Sequence, residues 1–298
     1  MITPKKPSSW IAQSLESYLA VIKLNLSSQS VQAYKYDIGK FLEYLFERGI
    51  RSVKGLKTLH ITDYLGYCKD QGKSEASINR YYMAIRSYCN FLRRTKELTF
   101  NLAEDVKAPR AQQKAPKILT RKQVEDMLNI PDLGTEKGVR DKAILELLYS
   151  SGLRVSELCD LDLEDLKEDG IQVKEGKRGK TRTVPMTEHA IKALQSYLDQ
   201  YRDDTDGPLF LTVFRQRLNR QRVSELVGSY ARKAGIKGVT AHTIRHTCAT
   251  HLLDAGADIR FIQEVLGHSS ISSTQRYTHL SSNKMQIMFK QFHPRKDK

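Results

Sequence analysis

The sequence predicts a mainly α protein of two domains, with a small β-hairpin or sheet in the second. Three observations carry this reading. Apolar side chains recur with the 3.6-residue period over most of the 298 residues. One short stretch alternates with period two on either side of a glycine-containing turn. A polar, basic segment twice interrupted by proline divides the chain near residue 110.

The first hundred residues read as four helices. Over 29–48, Val31, Tyr34, Ile38, Phe41, Leu42 and Leu45 form one stripe, and Gly49 stops it. Over 75–94, Ile78, Tyr82, Ile85, Cys89 and Leu92 repeat the pattern, with Arg80, Arg86, Arg93 and Arg94 largely off it. Helices over 10–24 and 59–69 complete the unit. The domains are therefore expected at 1–100 and 118–298, with a basic linker over 101–117 that contains Lys107-Ala-Pro-Arg-Ala-Gln-Gln-Lys-Ala-Pro. In the second domain, helical patterns occupy 121–129, 137–150, 189–201, 221–234, 243–255 and 259–266. Ile171-Gln-Val-Lys and Thr181-Arg-Thr-Val flank the turn Glu175-Gly-Lys-Arg-Gly-Lys as a hairpin. After residue 280, Met285, Met288, Phe289 and Phe292 form a last apolar stripe.

Lys and Arg number 49 against 34 Asp and Glu, a formal charge of +15. Residues 1–108 carry net +7 and residues 109–298 net +8. Such a field attracts polyanions, nucleic acid first. A membrane is not expected as a partner, because no stretch approaches the ~18 apolar residues that span a bilayer. The opening residues lack the apolar core of a signal peptide. The four cysteines are far apart, with no Cys-x-x-Cys pair, and read as reduced thiols, mostly buried. A cytoplasmic location follows as the expectation.

Three segments carry the chemistry. They are Ser-Gly-Leu-Arg-Val-Ser-Glu-Leu at 151–158, Ala-His-Thr-Ile-Arg-His-Thr-Cys-Ala-Thr-His at 241–251, and Leu-Gly-His-Ser-Ser-Ile-Ser-Ser-Thr-Gln-Arg-Tyr-Thr-His at 266–279. Taken singly, each has a bland explanation: a surface arginine, a helix-face pair, a packing tyrosine. Together they are an odd surplus of cations and imidazoles around one phenol. A phenol that attacks phosphorus must lose its proton against a free pKa of ~10. The charge that gathers on the non-bridging oxygens must also be neutralised. Arg154 and Arg245 offer planar donor forks for those oxygens. His242 and Arg245 lie one helical turn apart, so both can reach a single phosphate. Gly267 allows a helix to end just before His268. Tyr277 is the nucleophile that would carry the covalent intermediate. No metal or cofactor is needed in this scheme. The rival zinc reading of His242, His246 and His251 lacks the glutamate that a zincin carries after its first histidine. His246 and His251 are accordingly read as structural; Glu157, three residues after Arg154, either orients an active-site group or pairs on the helix surface, and the structural role is favoured.

In order and spacing, Arg154, the hairpin lysine, His242-x-x-Arg245, Leu-Gly-His268 and Tyr277 resemble the tyrosine site-specific recombinases, most closely the short Xer-type members. The resemblance runs almost end to end. It implies the two-domain tyrosine recombinase architecture and strand cleavage through a 3′-phosphotyrosine without metal or ATP. Lys177 would protonate the leaving 5′-oxygen. The family's hairpin turn often has Gly directly after the lysine, whereas here Arg178 follows and Gly comes at 179, which leaves Lys180 as an alternative. Lys180 and Arg182 resemble cations that touch the DNA backbone, and His279 is a further phosphate-contact candidate. The implied partners are double-stranded DNA with inverted-repeat half-sites and three further subunits, in a homotetramer or in a heterotetramer with a paralogous recombinase. An activating DNA translocase is a further implied partner. The C-terminal stripe could cover its own domain, and the resemblance implies instead that it docks on a neighbouring protomer. Base reading is expected from the 74–94 helix and the 215–222 region. The biological task is dimer resolution or movement of a mobile element. Two other readings stay open at this stage: a type IB topoisomerase with the same chemistry, and a basic DNA-binding regulator.

Overall fold

The structure, a computed structural model, describes residues 9–107, 116–174, 181–202, 205–267 and 282–295. The chain divides into two compact units at residues 114 and 115, each with its own core.

The first unit contains α1 (Ser9–Lys23), α2 (Ser28–Glu47), α3 (Thr58–Asp70) and α4 (Glu75–Arg94). Ser27 and Ser74 start α2 and α4 by accepting from the backbone N–H three residues on, which satisfies a donor the first turn leaves over. The apolar stripes predicted for α2 and α4 face one core, where Ile38, Phe41, Leu45, Ile61, Ile85 and Leu92 are buried. Tyr18, Tyr88 and Phe91 fill one end of that core with ring centroids 5.3–6.4 Å apart. Asp37 is buried on α2 and is held by Arg80 of α4 at 2.6 Å.

The expected linker is shorter than 101–117. Residues 101–103 and Val106 pack into the first core. Asn101 donates to the Arg86 carbonyl and accepts from the Ala103 N–H, and the Tyr82 hydroxyl donates to the Ala103 carbonyl. On the other side, Leu119 is buried in the second unit, and its N–H donates to Thr247 Oγ1. Polar composition marked the whole stretch as linker, but Leu102, Ala103 and Val106 suffice to anchor its first part to the core.

The second unit is built around α6 (Glu136–Ser151). Thirteen of its residues are buried, so it shows no one-sided stripe and lies in the middle of the domain, against α8 (Glu188–Tyr201) and α10 (Ala241–Asp254). Around it stand α5 (Arg121–Leu128), α7 (Val155–Asp160), α9 (Arg220–Lys233) and α11 (Ile259–Leu266). Thr120, Thr135, Thr187, Asn219, Thr240 and Asp258 cap helices of this unit. The hairpin forms as expected from β2 (Gly170–Lys174) and β3 (Thr181–Val184), with Lys174 opposite Thr181 and Val173 opposite Arg182. A two-residue strand, β1 (Leu166–Lys167), extends it to an antiparallel sheet in the order β1-β2-β3. The hairpin turn that holds Lys177 and Lys180 lies outside the described residues. All four cysteines are buried and unpaired.

The last helix is α12 (Ser282–Phe292). In this single chain Met288, Phe289 and Phe292 of its apolar stripe lie on the core of their own domain. Phe289 is buried, and Met288 and Phe292 pack on the same core. Gln286 donates to the Asp169 carbonyl, and Arg295 pairs with the buried carboxylate of Glu146 at 2.6 Å. His293 is buried against the rings of Tyr149 and Phe289, at 5.5 and 4.8 Å. Burying one phenylalanine contributes ~1.5–3 kcal/mol. Phe289 alone therefore gives this intramolecular position substantial weight.

Candidate active site

The site grows from the end of α6. After Ser151 the chain turns at Gly152, whose φ of +59° is left-handed backbone that L side chains avoid. A Cβ there would lie 2.6 Å from Leu266 Cδ2, so glycine also permits the close approach of α11. Two residues later Arg154 stands at the N-terminus of α7, and its own N–H donates to Glu157 Oε2 at 2.8 Å. Glu157 is thus placed at the third helical position, where a carboxylate caps the helix start.

Three arginines meet at this carboxylate. Arg154 Nη1 donates to Glu157 Oε1 at 2.6 Å. Arg182, reaching in from β3, donates to both carboxylate oxygens at 3.1 and 3.0 Å. Arg245 of α10 lies 3.9 Å from Oε2. The same three guanidinium groups cap the C-terminus of α11 in sequence: Arg182 donates to the Val265 carbonyl, Arg245 to that of Leu266 at 2.6 Å, and Arg154 to that of Gly267 at 2.9 Å. These carbonyls have no partner inside the helix and form the negative end of its dipole. Gly267 ends α11 in the left-handed conformation, as expected. A Cβ on it would fall 2.6 Å from Arg182 Nη1. Arg245 also donates to the Gly152 carbonyl at 2.7 Å, which ties the turn after α6 to the end of α11.

Exposure separates the three. The Arg245 and Arg182 side chains are 5% and 12% exposed, whereas that of Arg154 is 42% exposed and faces solvent. Burial, and then the neighbouring Arg154, push the Arg245 guanidinium down to about 10. It remains a cation at neutral pH. Burial alone would raise the Glu157 carboxyl, but hydrogen bonds and charge from Arg182 and Arg154 prevail and hold it below the usual carboxylate range. One anion thus serves three cations, and the remaining positive charge sits in a partly dry setting suited to a phosphodiester.

His242 is exposed on α10, one turn before Arg245. Burial of part of the ring, together with His246, Arg245 and Arg154, holds its pKa below the ordinary imidazole value. Its Nε2 lies 2.9 Å from Nε2 of His246. His251 takes no part in that pair; it is buried and bonded through Nδ1 to the Tyr149 hydroxyl at 2.8 Å. The three histidines therefore do not converge. Among the described residues, no group of three or more His, Cys, Asp or Glu side chains is arranged to hold a metal ion.

Of the six site residues expected from the sequence, the structure brings Arg154, Arg245 and His242 to one region, while Lys177, His268 and Tyr277 lie outside the described residues, as does His279. Two residues were undervalued. Glu157 is the hub of the arginine cluster, the orienting role rather than the favoured surface pairing, and its position three residues after Arg154 was the available signal. Arg182 is committed to that cluster instead of facing outward. It shares a face of β3 with the buried Val184, and strand alternation already pointed it inward.

Comparison with known proteins places these features in context. The chain matches the phage integrase family over residues 117–284 and the N-terminal SAM-like domain of phage integrases over residues 14–96. It is 38% identical over 290 residues to the tyrosine recombinase XerD of Staphylococcus epidermidis, covering 94% of this chain and 98% of that protein. XerD of Listeria monocytogenes is 34% identical, with 93% and 97% covered. The fold is shared with XerH bound to its difH substrate in a pre-cleavage complex (TM-score 0.70, 19% identity, 96% and 97% covered). It is also shared with a lambda integrase tetramer bound to a Holliday junction (TM-score 0.69, 18% identity, 93% and 86% covered). Among the described residues, no helix is long and apolar enough to cross a membrane.

Proposed function

The chain belongs to the phage integrase family, and from that membership we propose how it works, as an Xer-type site-specific recombinase that cleaves and rejoins DNA through Tyr277. The observation that carries the reading is the cluster of Arg154, Arg182 and Arg245 around the single carboxylate of Glu157. Its surplus charge matches the negative charge that develops on a phosphodiester under attack. The SAM-like first domain and the XerD relatives favour recombination over topoisomerase activity or simple DNA binding.

In the proposed reaction, Arg154 and Arg245 hold the non-bridging oxygens of the scissile phosphate, with His268 as a further donor. His242, neutral at rest, takes the proton of the Tyr277 phenol as its oxygen forms the bond to phosphorus. The 5′-oxygen leaves with a proton from Lys177. The 3′-phosphotyrosine conserves the bond energy until a 5′-hydroxyl of the partner strand attacks phosphorus and releases the tyrosine. The enzyme would act in the cytoplasm on paired inverted-repeat sites. It would assemble there as a tetramer, with itself or with a paralogous recombinase, and under an activating translocase where one is present. Resolution of chromosome or plasmid dimers, or integration and excision of a mobile element, is the task such a reaction serves.

A duplex nicked near the cleavage point tests this directly, because loss of a short leaving fragment traps the covalent complex. Wild-type protein should accumulate an adduct through Tyr277. Tyr277→Phe should bind the same DNA and form none. Arg245→Lys should lower the cleavage rate by ~10²–10³-fold, since an ammonium cannot reproduce the fork. An adduct that persists in Tyr277→Phe would sink the proposal.

A further inference from the structure

One face of α10 presents two imidazoles, His242 and His246, four residues apart. Their Nε2 atoms are 2.9 Å apart, their ring centroids 4.3 Å apart, and their planes stand at 76°. A nitrogen–nitrogen contact this short is a hydrogen bond only when one ring brings the N–H and the other the lone pair. A neutral imidazole has one of each. The contact therefore commits Nε2 of His242 to His246 and leaves Nδ1 as its nitrogen for the reaction. The charged and titratable groups that act on His242 are His246 and Arg245 on its own helix and Arg154 on α7.

We propose that His246 is a positioning residue for His242, fixing its tautomer and ring orientation through the bond between the two Nε2 atoms. The proposal rests on the assignment of His242 to the reaction made above. His242 donates from Nε2–H to the lone pair of His246, so its Nδ1 is unprotonated and basic. When the attacking phenol reacts, its O–H bond breaks, an N–H bond forms at His242 Nδ1, and the oxygen's electron pair makes the bond to phosphorus. The resulting imidazolium still donates to His246, now in a charge-assisted bond stronger than the neutral one. A carboxylate orients the histidine of a Ser-His-Asp triad in the same manner. Here an uncharged acceptor does so without cancelling the positive field that the phosphate requires.

The test compares His246→Ala, His246→Gln, His242→Ala and the double alanine variant in single-turnover cleavage of the nicked duplex, with DNA affinity and thermal unfolding measured alongside. His246→Ala should slow cleavage ~10–100-fold, the range seen when the partner of a functional histidine is removed, with affinity changed less than twofold. His246→Gln, whose carbonyl can still accept from Nε2–H, should recover most of the rate. In the His242→Ala background, loss of His246 should add nothing. Equal losses in the alanine and glutamine variants, full additivity with His242→Ala, or a loss that follows the melting temperature would overturn the proposal. A wild-type rate in His242→Ala would instead overturn the assignment of His242 itself.

Discussion

A single carboxylate, Glu157, meets Arg154 and Arg182 at 2.6–3.1 Å and has Arg245 at 3.9 Å. Removing its charge would leave three guanidinium groups, those of Arg245 and Arg182 only 5% and 12% exposed, without the anion that balances them. Breaking a buried pair from one side costs ~3–5 kcal/mol. Glu157→Gln should therefore lower the melting temperature of the second unit. Inorganic phosphate or sulfate should restore more stability to this variant than to wild type, because the cluster then carries one more unbalanced positive charge for the anion to meet. An equal anion effect in both proteins would show that the cluster does not carry the excess charge described here.

At the scale of an element, α12 is held to its own domain by Phe289, by the Arg295–Glu146 pair and by His293. Burial pushes the His293 imidazole down to about 3, from an unfolded value of ~6.5. Below pH 6.5 the unfolded chain then binds a proton that the folded chain refuses. The stability present above that pH is lost as pH falls towards 3, at ~1.4 kcal/mol per unit. Between pH 7 and 5 the melting temperature should fall. His293→Phe keeps the ring between Tyr149 and Phe289 and removes the titration, so it should flatten that fall. His251 and His242, whose pKa values burial also lowers, contribute to the part that remains.

For the whole molecule, charge and core are divided between two units. Residues 101–107 complete the first core, so a fragment of residues 1–107 should unfold cooperatively as a helical domain by circular dichroism. A fragment ending at residue 100 should be markedly less stable. Both units are basic, and phosphate contacts should dominate the affinity for DNA. Neutralising ~6–10 phosphates predicts a loss of ~10³–10⁵ in affinity between 50 and 200 mM salt. A shallow salt slope in a filter-binding or mobility-shift series would contradict that.

Helices and hairpin were legible because their signals are local. The 3.6-residue stripes of α2 and α4, the alternation of β2 and β3 and the stop at Gly267 depend on neighbours in the chain. The order and spacing of Arg154, His242, Arg245, His268 and Tyr277 carried the resemblance to the recombinases, because those motifs can be read along the chain itself. Tertiary structure alone decided which groups share a charge. Arg182 and Arg245 come from elements 63 residues apart in the sequence, and only packing reveals that both end on Glu157 and on successive carbonyls of α11. The same holds for the stripe on α12. Amphipathic periodicity says that a face must be buried, but not against which surface, and here that surface is its own core.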